Sequence, residues 1–173
     1  MAATALERII PATQAEIVVR RLEQDDPLAQ PLLAELAMEY SNRYGQPRRE
    51  VHRELLDYPA TEFAAPDGVL LVLLENGKPV AGGAFRRYDT RTAELKRIWT
   101  HSAYRRRGLG RRVLEELETE ALRRGYHGIY LTTGPRQPEA KALYLAAGYR
   151  AEFDLEADPE NIGPLPFRKE LRP

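Results

Sequence analysis

Residues 104–112 read Tyr-Arg-Arg-Arg-Gly-Leu-Gly-Arg-Arg, a run of arginines interrupted by two glycines. A helical apolar stripe starts inside the run, at Leu109, Val113, Leu114, Leu117, Ala121 and Leu122, and Gly125 closes it. A helix beginning near Leu109 leaves its first backbone N–H groups without intrahelical acceptors. Those groups also carry the positive end of the helix dipole, roughly half a unit charge. Gly108 and Gly110 remove the side chains that would keep a ligand off that backbone, and Arg105, Arg106, Arg107 and Arg111 surround the same point. The chemistry this suits is binding of an anion, a pyrophosphate above all. The competing reading is a solvated arginine patch beside a turn.

Known phosphate loops narrow the choice. A Walker loop needs Gly-Lys-Ser/Thr, which is missing here. A dinucleotide fingerprint needs a third glycine where this chain has Val113. The 26 basic and 26 acidic residues cancel, so any anion site is local. RNA contact at the arginines is the weaker alternative, because no aromatic-studded basic surface accompanies them. The absence of cysteine excludes disulfides, thiolate metal sites and a cysteine nucleophile. The first residues lack the long apolar core of a signal peptide, and no later stretch approaches a membrane span, so the expected location is cytoplasmic, with no membrane partner.

The elements that must position this turn can be read outward from it. Residues 1–14 read as a flexible lead, followed by a single domain over 15–173. A strand is expected over 15–23. A helix should follow, capped by Asp25 or Asp26, with Leu32, Leu33, Leu36, Ala37 and Tyr40 on its apolar face and Gly45 at its end. A shorter helix in Arg-Arg-Glu-Val-His-Arg-Glu-Leu-Leu-Asp-Tyr stops before Pro59. Two apolar runs joined by Asn76-Gly77 predict a hairpin. Residues 93–101 read as the next strand, directly before the arginine–glycine turn. His-Gly-Ile-Tyr-Leu-Thr-Thr-Gly reads as a buried strand, and Gln137, Pro138 and Gly148 bracket a last helix. Tyr-Arg-Ala-Glu-Phe-Asp-Leu-Glu and Leu-Pro-Phe-Arg-Lys-Glu-Leu are expected as final strands.

The pattern Arg/Gln-x-x-Gly-x-Gly/Ala occurs as Arg105, Gly108 and Gly110, directly after a strand, and Ala-x-x-Leu-Tyr-x-x-x-Gly-Tyr follows in order through Tyr144 and Tyr149. With both motifs in place, about residues 80–153 of the chain resemble the GCN5-related N-acetyltransferases, the GNAT superfamily. The resemblance implies an α/β (α+β) fold: a single mixed, mostly antiparallel sheet of about seven strands, with a splayed central parallel pair, flanked by four helices. It implies acetyl-coenzyme A as co-substrate, no metal, a small amine or peptide amine as acceptor, no nucleic acid, and a homodimer as one expected assembly.

Roles carry over residue by residue. The resemblance implies that backbone groups of Ile98, Trp99 and Thr100 pair with the pantetheine arm. It implies that the backbone of Arg106, Arg107, Gly108, Leu109, Gly110 and Arg111 holds the pyrophosphate, with Arg105 at the family's Arg/Gln position. Gln137 stands where the family commonly has asparagine. Tyr144 matches the tyrosine that protonates the departing thiolate, a task suited to a phenol of pKa ~10 within hydrogen-bond reach. Its spacing with Ala140, Leu143 and Ala147 also fits a plain core face. Glu94 matches the glutamate some relatives use as base, against the alternatives of a surface ion pair with Lys96 or Arg97, of His101, or of a water chain; other relatives place the base where this chain has Thr132. Tyr40 and Tyr44 are expected near the acceptor, and the acidic loop Asp154, Glu156, Asp158 and Glu160 would suit a cationic one. The alternative function is a non-catalytic acyl-coenzyme A sensor of the same fold.

Overall fold

The computed structural model describes residues 15–173, and the expected lead over 1–14 lies outside the described residues. In chain order the elements are β1 (Ile17–Arg21), α1 (Gln30–Tyr44), α2 (Arg48–Asp57), β2 (Val69–Glu75), β3 (Lys78–Arg87), β4 (Thr92–Thr100), α3 (Leu109–Arg123), β5 (Gly128–Thr133), α4 (Pro138–Ala146), β6 (Arg150–Ala151) and β7 (Leu165–Glu170). Most boundaries follow from local chemistry. Asp26 accepts the N–H of Leu28 at 2.8 Å and starts the turn that leads into α1. Gly45, in the left-handed region at φ 75°, ends α1. Asn76 and Gly77, at φ 50° and 76°, make the tight turn of the β2–β3 hairpin.

The strands form one sheet in the order β1-β2-β3-β4-β5-β7-β6, antiparallel except for β4 beside β5. Its centre is buried on both faces, and that explains the unbroken apolar run of β2. Val69, Leu71 and Leu73 pack toward α3 and α4 with Val113, Leu114 and Leu117. Leu70, Val72 and Leu74 pack toward α1 with Leu32, Leu33 and Leu36. The expected fold is observed: a seven-stranded mixed sheet with four helices. No helix among the described residues is long and apolar enough to cross a membrane.

One expectation needs correction. The strand read over residues 149–156 shrinks to Arg150–Ala151. Opposite it, Pro166 accepts from Glu152 N–H at 2.9 Å but has no N–H to return. The Asp154 carboxylate then accepts from Glu156 N–H at 2.9 Å and turns the chain off the sheet.

Two irregularities prepare the site. β4 pairs with β5 only through Thr92–Glu94 against Gly128–Tyr130, and beyond that point the two strands part. β5 continues along β7 and β4 continues along β3, so one edge of β4 faces a gap. Along the β3–β4 ladder, Gly82 pairs with Trp99 and Ala84 with Lys96, leaving Gly83 opposite both Arg97 and Ile98. This bulge puts Arg97 in the left-handed region at φ 60°. It also needs a glycine, because a Cβ at Gly83 would stand 2.7 Å from Ile98 Cδ1.

Candidate active site

The gap between β4 and β5 opens onto a cavity of about 530 Å³ whose floor is α4 and whose far end is the start of α3. Ile98, Trp99 and Thr100 line it from the β4 edge. Two of their side chains are spent on packing: Ile98 joins the α3-side core, while Trp99 is buried beneath α1 with its indole N–H unpartnered among the described residues.

At the far end, Gly108 stands just before α3 at φ 73°, a conformation only glycine adopts without strain. The first bond of this helix runs from Arg112 N–H to Gly108 O at 3.1 Å. The N–H groups of Gly108, Leu109, Gly110 and Arg111 precede it and have no intrahelical acceptor. Gly110 lies where α3 approaches α4, and a Cβ there would stand 3.1 Å from Leu143 Cδ2 and 3.7 Å from Thr100 Oγ1. Arg105, Arg106 and Arg111 line the same cavity. Among the described residues Arg111 is held only by an exposed 3.3 Å contact to Glu115, a kind of pair that contributes little. Arg107 differs. Its guanidinium turns away to Glu75 on β2, at 2.5 and 3.1 Å, and holds that carboxyl below the usual carboxylate range. Its contribution at this turn is therefore backbone.

Gln137 also lines the cavity, with its Oε1 turned onto Gly134 N–H at 3.0 Å. The carbonyl thus stiffens the β5–α4 loop, and Nε2 makes no hydrogen bond among the described residues. Sequence reasoning passed over Arg43. From α1 it reaches the Arg136 carbonyl and the Glu139 carboxylate, the latter at 3.0 Å, and so ties α1 to the start of α4 across the gap.

A second cavity of about 460 Å³ adjoins the first. Ile98, Gln137, Ala140 and Tyr144 line both. Tyr144 is therefore at the junction. Its ring is buried against Phe167 and Tyr149, with centroids 5.5 and 5.8 Å away, while its hydroxyl makes no hydrogen bond among the described residues. Burial, with smaller contributions from Tyr40 and Glu39, pushes its phenol well above the ordinary value. It stays protonated at neutral pH. Tyr40, across the second cavity on α1, is pushed up to about 12 by burial, with Glu39 adding to it.

Tyr40, Tyr44 and Thr132 line the second cavity. Tyr44 packs so closely on Gly134 that no Cβ would fit there. Glu94 is buried on β4, 2.8 Å from Arg86 and 3.5 Å from Lys96, and it does not line the cavity. His101 is used structurally: its Nδ1 accepts from Ala103 N–H at 3.1 Å and its Nε2 lies 3.3 Å from Glu35. The acidic loop is also engaged. Asp154 and Asp158 cap their own turns, and Glu160 pairs with Arg136 at 2.7 Å. None of its four carboxylates lines the cavity, so the expected acidic wall for a cationic acceptor is not there.

The charged residues that do line the second cavity are Lys96, Arg97 and Glu54. Arg97 was not singled out in the sequence, where it passes as a neighbour of Glu94. It is only 8% exposed and, among the described residues, has no carboxylate partner. Its terminal nitrogens donate to Gln24 Oε1 at 2.6 Å and to the Leu55 carbonyl, and its guanidinium lies 4.7 Å over the Phe63 ring. Burial lowers its pKa to about 10. The available signal was a cation inside Leu95-Lys96-Arg97-Ile98-Trp99, a strand core where apolar residues are the rule.

Residues 30–149 match the model of the acetyltransferase (GNAT) family. The chain is 35% identical over 92 residues to the uncharacterized N-acetyltransferase YsnE of Bacillus subtilis (strain 168), a match spanning half of this chain and 61% of that protein. Among solved structures it resembles the PaiA N-acetyltransferase of Thermoplasma acidophilum, crystallised with coenzyme A (TM-score 0.69, 16% identity, 90% of this chain and 99% of that one). It also resembles a GNAT family acetyltransferase of Elizabethkingia anophelis with acetyl-CoA bound (TM-score 0.65, 17% identity, 90% and 98% covered). A GNAT family acetyltransferase of Staphylococcus aureus gives a TM-score of 0.71 at 18% identity, over 91% of this chain and all of that one. At these identities the structural likeness is one of fold, and with 120 of its residues under the family model, the chain belongs to the acetyltransferase (GNAT) family.

Proposed function

We propose that residues 15–173 act as one N-acetyltransferase unit that moves an acetyl group from acetyl-coenzyme A to an amine by direct attack in a ternary complex. The observation that carries this is the shared wall: two cavities meet at Ile98, Gln137, Ala140 and Tyr144, one leading to the arginine–glycine turn and the other to α1 and α2. A two-substrate transfer needs such a meeting point, with each reactant entering from its own side. The relatives solved with coenzyme A or acetyl-CoA support the choice of donor.

In this reading the orphan N–H groups from Gly108 to Arg111 take the pyrophosphate, with Arg105 and Arg106 beside them. The free edge of Ile98–Thr100 pairs with the pantetheine amides and supplies an N–H to the thioester oxygen as negative charge develops there. The amine attacks from the second cavity, the C–S bond breaks, and Tyr144 gives its proton to the leaving sulfur. The fit is chemical: a neutral phenol kept protonated by burial, with its hydroxyl uncommitted, stands at the junction. Glu94 is proposed to accept the amine's proton through water, since its carboxylate lies off the cavity wall. A cytoplasmic setting belongs to the same proposal.

The test is calorimetry with coenzyme A, followed by thiol release from acetyl-CoA across a panel of amines. Micromolar binding and amine-dependent release are expected. Binding without turnover of any amine would favour a sensor, and no binding would remove the basis for the proposal.

A further inference from the structure

We infer that the acceptor carries a carboxylate, recognised by Arg97 in the second cavity. The inference rests on the acetyl-transfer reading for the amine, but the carboxylate contact itself stands on the geometry around Arg97.

A guanidinium taken out of water needs a counter-charge or a dense set of acceptors. Arg97 has neither. Among the described residues only two of its five N–H groups find acceptors, both uncharged, in Gln24 and Leu55. The rest of its surroundings are the faces of Phe63 and Tyr58, at 4.7 and 5.8 Å. Every other strongly buried charge in the described chain has an ion-pair partner: Glu94 with Arg86, Glu120 with Arg21 and Arg124, and Glu75 with Arg107. The contrast is specific to this position.

A structural role explains part of the arrangement. Leu55 lies in the last turn of α2, where carbonyls are left without intrahelical partners and a cation is favourable. That role needs one N–H and no cavity. Yet Arg97 lines the acceptor cavity, sits one residue before Ile98 on the shared wall, and is carried there by a bulge that strains its own backbone at φ 60°. Backbone strain of this kind clusters at active sites and ligand clamps. The fork of a guanidinium matches the two oxygens of a carboxylate. Lys96 adds a second positive charge on the same wall, already 3.5 Å from Glu94, and among the described residues Glu54 at the exposed rim is the one carboxylate lining the cavity. With the acidic loop engaged elsewhere, the cavity favours an anionic end on a small amine: an amino acid or a short peptide carrying a free carboxylate.

The experiment compares α- and ω-amino acids and dipeptides with their own carboxamides, which keep the amine and remove only the charge. Acetylation is followed with acetyl-CoA, and binding by calorimetry with and without saturating coenzyme A. The expected result is at least a tenfold advantage in kcat/KM, or in affinity, for the best acid over its amide. Arg97→Gln should collapse that ratio to within threefold, and Arg97→Lys should leave it intermediate. The wild-type comparison decides the carboxylate preference without a variant, and if Arg97→Gln misfolds, Arg97→Lys decides the contact: an acid advantage undiminished in Arg97→Lys overturns the assignment to Arg97. Amides that match or exceed their acids overturn the inference while leaving acetyl transfer intact. Acids that bind selectively without being acetylated support it and count against the transfer reading. Binding of neither acids nor amides overturns it.

Discussion

Replacing Tyr144 with phenylalanine separates a core residue from a proton donor. The ring stays, and with it the contacts to Phe167 and Tyr149 at 5.5 and 5.8 Å. The hydroxyl makes no hydrogen bond among the described residues, so its removal breaks none there and the change in stability should stay within about 0.5 kcal/mol. For a chain of this length that is a melting-temperature shift of about 1–2 °C. The catalytic effect is expected to be much larger. General acid catalysis contributes roughly 10²–10⁴-fold, or about 2.7–5.4 kcal/mol of barrier. Tyr144→Phe should therefore lower kcat at least ~100-fold while leaving the coenzyme A dissociation constant within about threefold. The assay pairs thiol release at saturating substrates with thermal melting and calorimetry on the same preparation. Because burial raises the phenol's pKa, the wild-type rate should show no descending limb from Tyr144 up to about pH 10. A kcat within about threefold of wild type, with unchanged melting, would refute the proton-donor role and leave Tyr144 as packing alone.

Other expectations follow from the same geometry. Gly110→Val pushes methyl groups into a space where even a Cβ lies 3.1 Å from Leu143 Cδ2; coenzyme A affinity measured by calorimetry should fall at least ~30-fold, about 2 kcal/mol. Arg105→Gln removes a cation that lines the cofactor cavity and should weaken coenzyme A about 3–10-fold, with a shallower salt dependence; Arg107→Gln, which breaks the pair with Glu75, should register in melting temperature rather than affinity. Arg21, and after it Arg124, hold the Glu120 carboxyl below its ordinary 4.5. The folded state then binds fewer protons than the unfolded one, so this stabilisation is whole above about pH 5 and drains away as pH falls below about 4. Glu120→Gln should cost about 1–2 kcal/mol at pH 7, a figure kept low because Arg21 is 58% exposed. Melting curves should show the gap to wild type closing as pH drops below about 4.

Legibility in the sequence followed the range of the signal. The helices, the hairpin and the order of strands rest on periodicity, Asn76-Gly77 and terminal glycines, all local, and the structure has them within a few residues. The start of α3 was legible for the same reason: Gly108 takes a left-handed backbone that few other residues tolerate, and Gly110 keeps clear a space where a Cβ would stand 3.1 Å from Leu143 Cδ2. Ten of the eleven residues expected at the cofactor line one cavity; Arg107 does not, because Glu75, thirty-two positions away on β2, captures its guanidinium. That pairing has no local signature. The same holds for the acidic loop, where Asp154 and Asp158 are taken by Asx turns and Glu160 by Arg136. Arg97 was invisible for a further reason. A bulge opposite Gly83 shifts β4 by one residue and turns a position that strict alternation would treat as ordinary toward the cavity.

The central claim is that the parted edge of β4 and the first turn of α3 together hold coenzyme A. Backbone amide hydrogen exchange with and without coenzyme A tests it residue by residue. The amides of Ile98–Thr100 and Gly108–Arg111 should slow on binding, while those around the polar cleft at the opposite end of the sheet, near Arg91 and Arg168, stay unchanged. Coenzyme A binding that slows exchange at that cleft, or leaves both predicted segments unprotected, would contradict the account.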